Sequence, residues 1–297
     1  MSVTVDSGST ITAVTVGGTA CTAQDDGTYF CESGDMTYFI TLSGGSTSYS
    51  YTCEEYFGAS DTGYDGFVSL LSSLSDGCTI VLSPYLTSEQ LEYFADALTA
   101  SLLSKVTVDM SYMTITTISD KTFYQCKNLT SITIPDSVTA IDTYVFAYCS
   151  SLTSVTIGDS VTSIKSMAFY YCTSLTSVTI PDSVTSLGTS VFNGCTSLVT
   201  AVVGDGVEEI PWTTFYGCTS LKTVTIGSAV TTISAYSSSL SNSYGGAFGN
   251  CSALETVYYN GTTSDWGDIS ISSTSEETGN YYLTQATIIC TDGTYTY

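Results

Sequence analysis

The sequence of 297 residues contains no histidine and no arginine, and its only bases are Lys105, Lys121, Lys127, Lys165 and Lys222. Against these stand 28 acids, for a formal net charge of −23. A nucleic-acid-binding surface needs a basic footprint to displace counterions, so no nucleic-acid partner is expected. An anionic membrane surface would repel the chain through the same field. The missing histidine removes Ser-His and Cys-His nucleophile pairs. With arginine also missing, bidentate capture of a carboxylate or phosphate is excluded. No glycine-rich loop leads into a helix to hold phosphate. No apolar run approaches the ~20 residues that span a bilayer, so membrane insertion is not expected either. The opening "MSVTVDSGST" lacks the basic and apolar regions of a signal peptide, as a mature secreted domain also would.

What the chain has is a repeat. Cys126, Cys149, Cys172, Cys195 and Cys218 follow one another at a spacing of 23, and Cys251 follows after 33. Leucine moves with them at Leu129, Leu152, Leu175, Leu198, Leu221 and Leu254. Phenylalanine stands three places before each cysteine, at Phe123, Phe146, Phe169, Phe192, Phe215 and Phe248. Between them lies text such as "LTSVTIPDSVTSL". There Val178 and Ile180 alternate with Ser177 and Thr179, as a strand with one buried face requires. Pro181-Asp182 or Gly158-Asp159 then turns the chain, and Val184 and Leu187 face inward on the return. "SVFNGC" is expected to close the coil with a short helical turn that buries Phe192 and Cys195. One such coil cannot bury its own apolar edges, so coils stack, and a period of this length signals a leucine-rich-repeat solenoid.

"LTSVTIPDSVTSLGTSVFNGC" resembles the BspA-like, or Treponema-type, leucine-rich repeats of bacterial and protist surface proteins. The closing "VYYNGTTSDWGDISI" and "YYLTQATIICTDG" resemble that family's last segment, so the likeness runs over about residues 103–297. The resemblance implies cell-surface display and adhesion to host or neighbouring-cell proteins. It implies no catalytic residue, and none is carried over. The absence of arginine and a ten-residue insertion in the sixth coil depart from the pattern.

The expected fold is α/β: a solenoid of 23-residue coils with its parallel sheet on the concave side. Residues 1–64 read as a β-rich N-terminal segment, 65–111 as an α/β N-terminal cap, 112–260 as the repeats and 261–297 as a C-terminal cap. In the first segment "ITAVTV", "MTYFITL" and "TSYSYTC" alternate between Gly-containing turns, a pattern of antiparallel hairpins. In the cap, Asp65 is expected to start a short helix carrying Phe67, Leu70, Leu71 and Leu74. Thr87 and Gln90 form a capping box for a second helix, with Leu91, Phe94, Ala95, Leu98 and Leu102 on one buried face. Val106, Val108 and Met110 then belong to a strand.

Several constellations invite chemistry. The cysteine column lacks the short spacing and histidines of a metal site and reads as a column of small buried hydrophobes. Cys21 and Cys31 flank a hairpin turn, where a disulfide and free thiols are both open readings. Asp136, Asp159, Asp182 and Asp205 form a second column. Calcium wants six to eight oxygens, and "PDS" and "GDS" are ordinary turns in which Asp bonds the following backbone. The acid pairs Asp25 with Asp26, Glu54 with Glu55 and Glu208 with Glu209 read as solvated surface rather than glycosidase acids. No cofactor and no metal are expected.

The outward rows of the sheet remain. One row is Ser131, Ser154, Ser177, Thr200, Thr223 and Thr256; the other is Thr133, Thr156, Thr179, Val202, Thr225 and Tyr258. β-branched residues suit exposed strands in any case, but solenoids commonly bind through this face. The expected ligand-binding residues are Thr179, Val199, Val202, Thr225 and Tyr258, joined by Tyr236 and Tyr244 from the insertion. The reading is a non-catalytic adhesion module, extracellular or on a cell surface, for a protein or glycan partner. A structural spacer and a carboxylate-dependent glycan enzyme are the alternatives.

Overall fold

A computed structural model describes the backbone strands lying within residues 2–52 and then residues 64–72, 74, 76–82, 86–237, 244–274 and 279–297. Each coil of the repeat region has three sides. The first carries long parallel strands, beginning with Val106–Asp109, Leu129–Thr133 and Ser154–Thr156. It continues with Ser177–Ile180, Thr200–Val203, Thr223–Ile226, Thr256–Tyr259 and Thr287–Cys290. The pairing is in register from coil to coil, as in Ser177↔Thr200↔Thr223↔Thr256, but breaks between Ser154–Thr156 and Ser177–Ile180, so this side carries a five-stranded and a six-stranded sheet. The second side carries two-residue strands such as Ala140–Ile141, Ser163–Ile164 and Ser186–Leu187, also parallel.

The third side differs from the expected helical turn. It is a run of tight turns with two left-handed residues per coil: Lys121 and Gln125, Tyr144 and Tyr148, Met167 and Tyr171, Ser190 and Gly194, Thr213 and Gly217. A helix would keep each N–H within its own coil. The left-handed kinks instead aim alternate N–H groups at the next coil. Phe123 N–H donates to Val145 O at 2.9 Å, Phe146 to Ala168 at 2.7 Å and Phe169 to Val191 at 2.9 Å. The conformation costs an L-residue roughly 1–2 kcal/mol, which these lateral bonds offset.

Inside, the six phenylalanines form one stack with ring centroids 5.0–5.5 Å apart and planes within 9–19° of parallel. Every one is fully buried, as are the six column cysteines. These cysteines are free thiols.

Two helices, α1 (Tyr64–Ser72) and α2 (Ser88–Ala100), cover the first coil, with Phe67 edge-on to Phe94 at 5.5 Å. The Thr87–Gln90 capping box forms: Thr87 N–H donates to Gln90 Oε1 and Gln90 N–H to Thr87 Oγ1. Asp65 sits inside the first turn of α1 rather than capping it. Leu102 is fully exposed, because α2 stops at Ala100 and the chain turns Leu103 inward instead. Strand Ser50–Thr52, expected in a hairpin, pairs in parallel with Cys78–Val81 and so extends the long-strand sheet. Strands from 2–20 and from 22–41 form antiparallel hairpins.

At the other end α3 (Thr263–Gly267) buries Trp266 against Tyr259, their rings 5.3 Å apart, and α4 (Tyr281–Gln285) follows. Strand Gly293–Tyr295 then turns back antiparallel to Thr287–Cys290. A stack of this kind leaves unpaired groups at its two ends, and a buried asparagine meets each. Phe248 has no further coil to receive its N–H, which goes to Asn280 Oδ1 at 3.0 Å. Asn280 Nδ2 donates in turn to Ser272 O and Ser234 O. Cys126 has no earlier phenylalanine carbonyl, so its thiol donates to Asn128 Oδ1 at 3.1 Å. Asn128 Nδ2 donates to Leu98 O at the end of α2.

Candidate binding face

The long-strand side sets two rows of side chains outward. Register places Thr179 beside Val202, Val202 beside Thr225, and Thr225 beside Tyr258. The row then runs on to Ile289, which the sequence reading missed. Its signal was present in "TIIC", where Thr287 and Ile289 alternate with buried Ile288 and Cys290. Tyr258 is 44 % exposed and Ile289 36 %. Val199, also exposed, stands just before its strand at the rim of the face. Its carbonyl accepts from Lys222 N–H at 2.9 Å.

Hydroxyl groups divide into two kinds. Those on the rims are spent on the neighbouring coil: Thr153 Oγ1 donates to Thr130 O at 2.9 Å and Thr176 Oγ1 to Thr153 O at 3.3 Å. On the short-strand side Thr162 donates to Thr139 O and Thr185 to Thr162 O. Among the described residues, the hydroxyls of Thr179, Thr200, Thr223, Thr225 and Thr256 have no protein partner. They are left for water or a ligand.

The described neck of the insertion lies away from this face. Strands Ala235–Ser237 and Tyr244–Gly246 form an antiparallel hairpin closed at its neck by Ala247 N–H to Ser234 O, 3.0 Å. Gly245 abuts Thr213, and Gly246 abuts Gly279 so closely that an added Cβ would lie 2.3 Å from its carbonyl carbon. That is the corner between the short-strand and turn sides, across the coil from the threonine rows. The side chains of Tyr236 and Tyr244 lie outside the described residues.

The aspartate column works between coils rather than within its own turns. Asp159 N–H donates to Asp136 Oδ1 at 2.8 Å, Asp205 N–H to Asp182 Oδ1 at 2.9 Å, and Ser228 N–H to Asp205 Oδ1 at 2.7 Å. The Ser228 N–H, followed by the Asn260 amide, holds the Asp205 carboxyl below its ordinary value. Among the described residues no group of three or more acids or cysteines is arranged to hold a metal ion. Each column thiol after the first donates to the phenylalanine carbonyl of the coil before it, as Cys149 does to Phe123 O at 3.0 Å and Cys172 to Phe146 O at 3.1 Å. Burial pushes the Cys126 thiol up to about 11 and the Cys195 thiol up to about 12. Cys21 and the side chain of Cys31 lie outside the described residues, as do the pairs Asp25 with Asp26 and Glu54 with Glu55. Of the remaining acid pair, Glu209 accepts from Ser234 Oγ at 2.6 Å. No described helix is long and apolar enough to cross a membrane.

Residues 116–244 match the BspA type leucine rich repeat region in six copies. A leucine-rich repeat protein from Eubacterium ventriosum is 25% identical with a TM-score of 0.42, over 60% of this chain and 48% of that one. The chain thus spans about half the length of that protein. A T. pallidum leucine rich repeat protein is 20% identical with a TM-score of 0.43, covering 80% of this chain and 85% of its own. A leucine rich cell surface protein from Faecalibacterium prausnitzii is 19% identical with a TM-score of 0.26, over 88% of this chain and 98% of its own. No curated protein matches the chain.

Proposed function

We propose a function for a chain that carries leucine-rich repeats of the BspA type over residues 116–244: it is a non-catalytic binding module that engages an extracellular protein or glycan through its long-strand face. The observation that carries this reading is the split between hydroxyls. The rim threonines Thr153 and Thr176 are bonded to backbone, whereas those within the face are unengaged and border exposed Tyr258 and Ile289. Neutral hydroxyls, an aromatic ring and apolar side chains are the means of recognition available on it. The setting proposed is extracellular or at a cell surface, by the likeness of the repeats to those of surface proteins. The domain division at 64, 111 and 260 is part of the same proposal.

A binding screen of the purified chain against extracellular-matrix proteins and glycans supplies the partner, and three variants place it. Tyr258→Ala should weaken binding by about 2 kcal/mol, as aromatic hot spots do. Thr225→Lys should weaken it comparably by filling the centre of the row. Thr133→Lys, on the neighbouring five-stranded sheet of the same side, should matter little. Affinity should change little between roughly 0.05 and 0.5 M salt, since no ion pair is formed and surface charges are screened in that range. Loss of binding in Thr133→Lys alone, or a steep salt dependence, would contradict this placement.

A further inference from the structure

The turn side of the stack carries a surface feature that the proposed face does not use. Tyr124, Tyr144, Tyr148, Tyr170 and Tyr171 occupy three successive coils, and their rings touch. Tyr148 lies 5.8 Å from Tyr124, 5.5 Å from Tyr170 and 5.6 Å from Tyr171, and Tyr170 lies 4.6 Å from Tyr171. The core does not need them, because the buried phenylalanine column is complete beneath them. Tyr171 is 42 % exposed, and the other four are half-buried.

Backbone geometry says more. Tyr144, Tyr148 and Tyr171 hold left-handed φ angles of 59°, 62° and 56°. At the position shared by Tyr148 and Tyr171, the next two coils use Gly194 and Gly217. Gln125 and Asn250 fill it in the first and last coils, so the backbone accepts several residues there, of which glycine is the least strained. The Tyr171 ring lies over Gly194, where an added Cβ would come within 2.8 Å of it. The cluster is thus bounded: aromatic on three coils, then floored by glycine.

Charge and spacing narrow the ligand. Lys121, Lys127 and Lys165, three of the five lysines, fall in the same coils as Asp120 and Asp142, and Lys165 is paired with Asp142. Acids and bases nearly cancel here, in a chain whose net charge of −23 repels anions from a distance. A cation would be drawn elsewhere on the surface, which leaves a neutral ligand. Phenol hydroxyls both donate and accept, and the ring faces offer apolar contact. A sugar matches both, with C–H bonds on one face of its ring and hydroxyls at the edge. The Tyr148 ring lies 5.5–5.8 Å from the Tyr124, Tyr170 and Tyr171 rings of the adjacent coils, edge-on to the first two and tilted by 31° from the third, so a ligand meets ring faces and edges in turn. A proline-rich peptide repeats only about every 9 Å and presents few donors for the phenols. We propose that the tyrosine cluster on the turn side stacks a neutral oligosaccharide, at a site separate from the long-strand face.

Titration calorimetry of the full chain against cellohexaose, maltohexaose, mannohexaose and chitohexaose tests this. The expected result is binding of at least one of them, weakened tenfold or more in Tyr148→Gly and in Tyr171→Gly. Those variants should melt no lower than the parent, because glycine relieves the left-handed strain. Tyr148→Asn, which also tolerates that conformation, repeats the test if a glycine variant folds poorly. Tyr258→Ala should leave sugar binding unchanged, which separates this site from the long-strand face. Absence of heat with all four sugars, undiminished affinity in the tyrosine variants, or preferential binding of deca-proline would each overturn the proposal.

Discussion

Asparagine stands at position 128, where the other five coils carry Ser151, Ser174, Ser197, Ser220 and Ala253. The difference follows from place. An interior coil finds its acceptors and donors on the coils either side of it, and a terminal coil does not. Asn128 and Asn280 supply those groups from a side-chain amide, which can donate and accept at once. Removing such a partner strands buried polar groups, at about 1–3 kcal/mol for each group left unsatisfied. Asn280→Ala, which leaves Phe248 N–H without its acceptor, should therefore lower the Tm by several degrees. Asn260→Ala, at an exposed residue holding one bond of 3.2 Å to Asp205, should shift it far less. Thermal melts of the two variants side by side check this, and equal shifts would contradict it.

At the scale of the element, much of the coil was legible and its turn side was not. The alternation in "LTSVTI" gives the strand and its outward rows, because a period of two has one structural meaning. The phenylalanine and cysteine columns follow from their spacing alone. The left-handed positions escape detection because Lys121, Gln125, Tyr144 and Met167 occupy them instead of glycine, so propensity points to a helix while the lateral hydrogen bonds impose kinks. The tyrosines beside each phenylalanine were visible in "YVFAYC" and "AFYYC", but nothing in a linear pattern shows that they meet across coils. Leu102 fits the α2 periodicity, yet a helix that ends two residues earlier puts it in solvent.

The thiol column has a consequence of its own at this scale. Burial raises all six thiols above their ordinary value of 9.0, two of them to about 11 and about 12. Between the unfolded and folded values the unfolded chain has lost protons that the folded chain keeps, so stability falls as pH rises. Stability from this source is complete below about pH 8.5–9 and disappears progressively toward pH 12. The Tm should be level through neutral pH and decline above pH 9, and a set of Cys→Ala changes along the column should flatten the decline. An alkaline limb that stays equally steep without the cysteines would assign it to the tyrosines instead.

For the whole molecule, charge opposes the fold. The net charge is −23, and the repeat stacks Asp136, Asp159, Asp182 and Asp205 along one corner. Each folded coil brings its acid closer to the next than an unfolded chain would, and the backbone N–H groups donated to Asp136, Asp182 and Asp205 relieve only part of that repulsion. Raising salt from roughly 0.01 to 0.5 M shortens the screening length from about 30 Å to well under 10 Å. The Tm should rise across that range by several degrees, read by circular dichroism in sodium chloride. A flat or falling Tm would show that the lateral bonds already neutralise the column.

The two terminal asparagines also bear on heredity. Interior coils bond to their neighbours through equivalent positions, as with Thr153 and Thr130 or Asp159 and Asp136. A duplicated or deleted block of 23 codons between the ends therefore presents the same partners at each new junction. Unequal recombination within the array lengthens or shortens the protein by a whole coil. The same event carried past Asn128 or Asn280 would leave an uncapped edge.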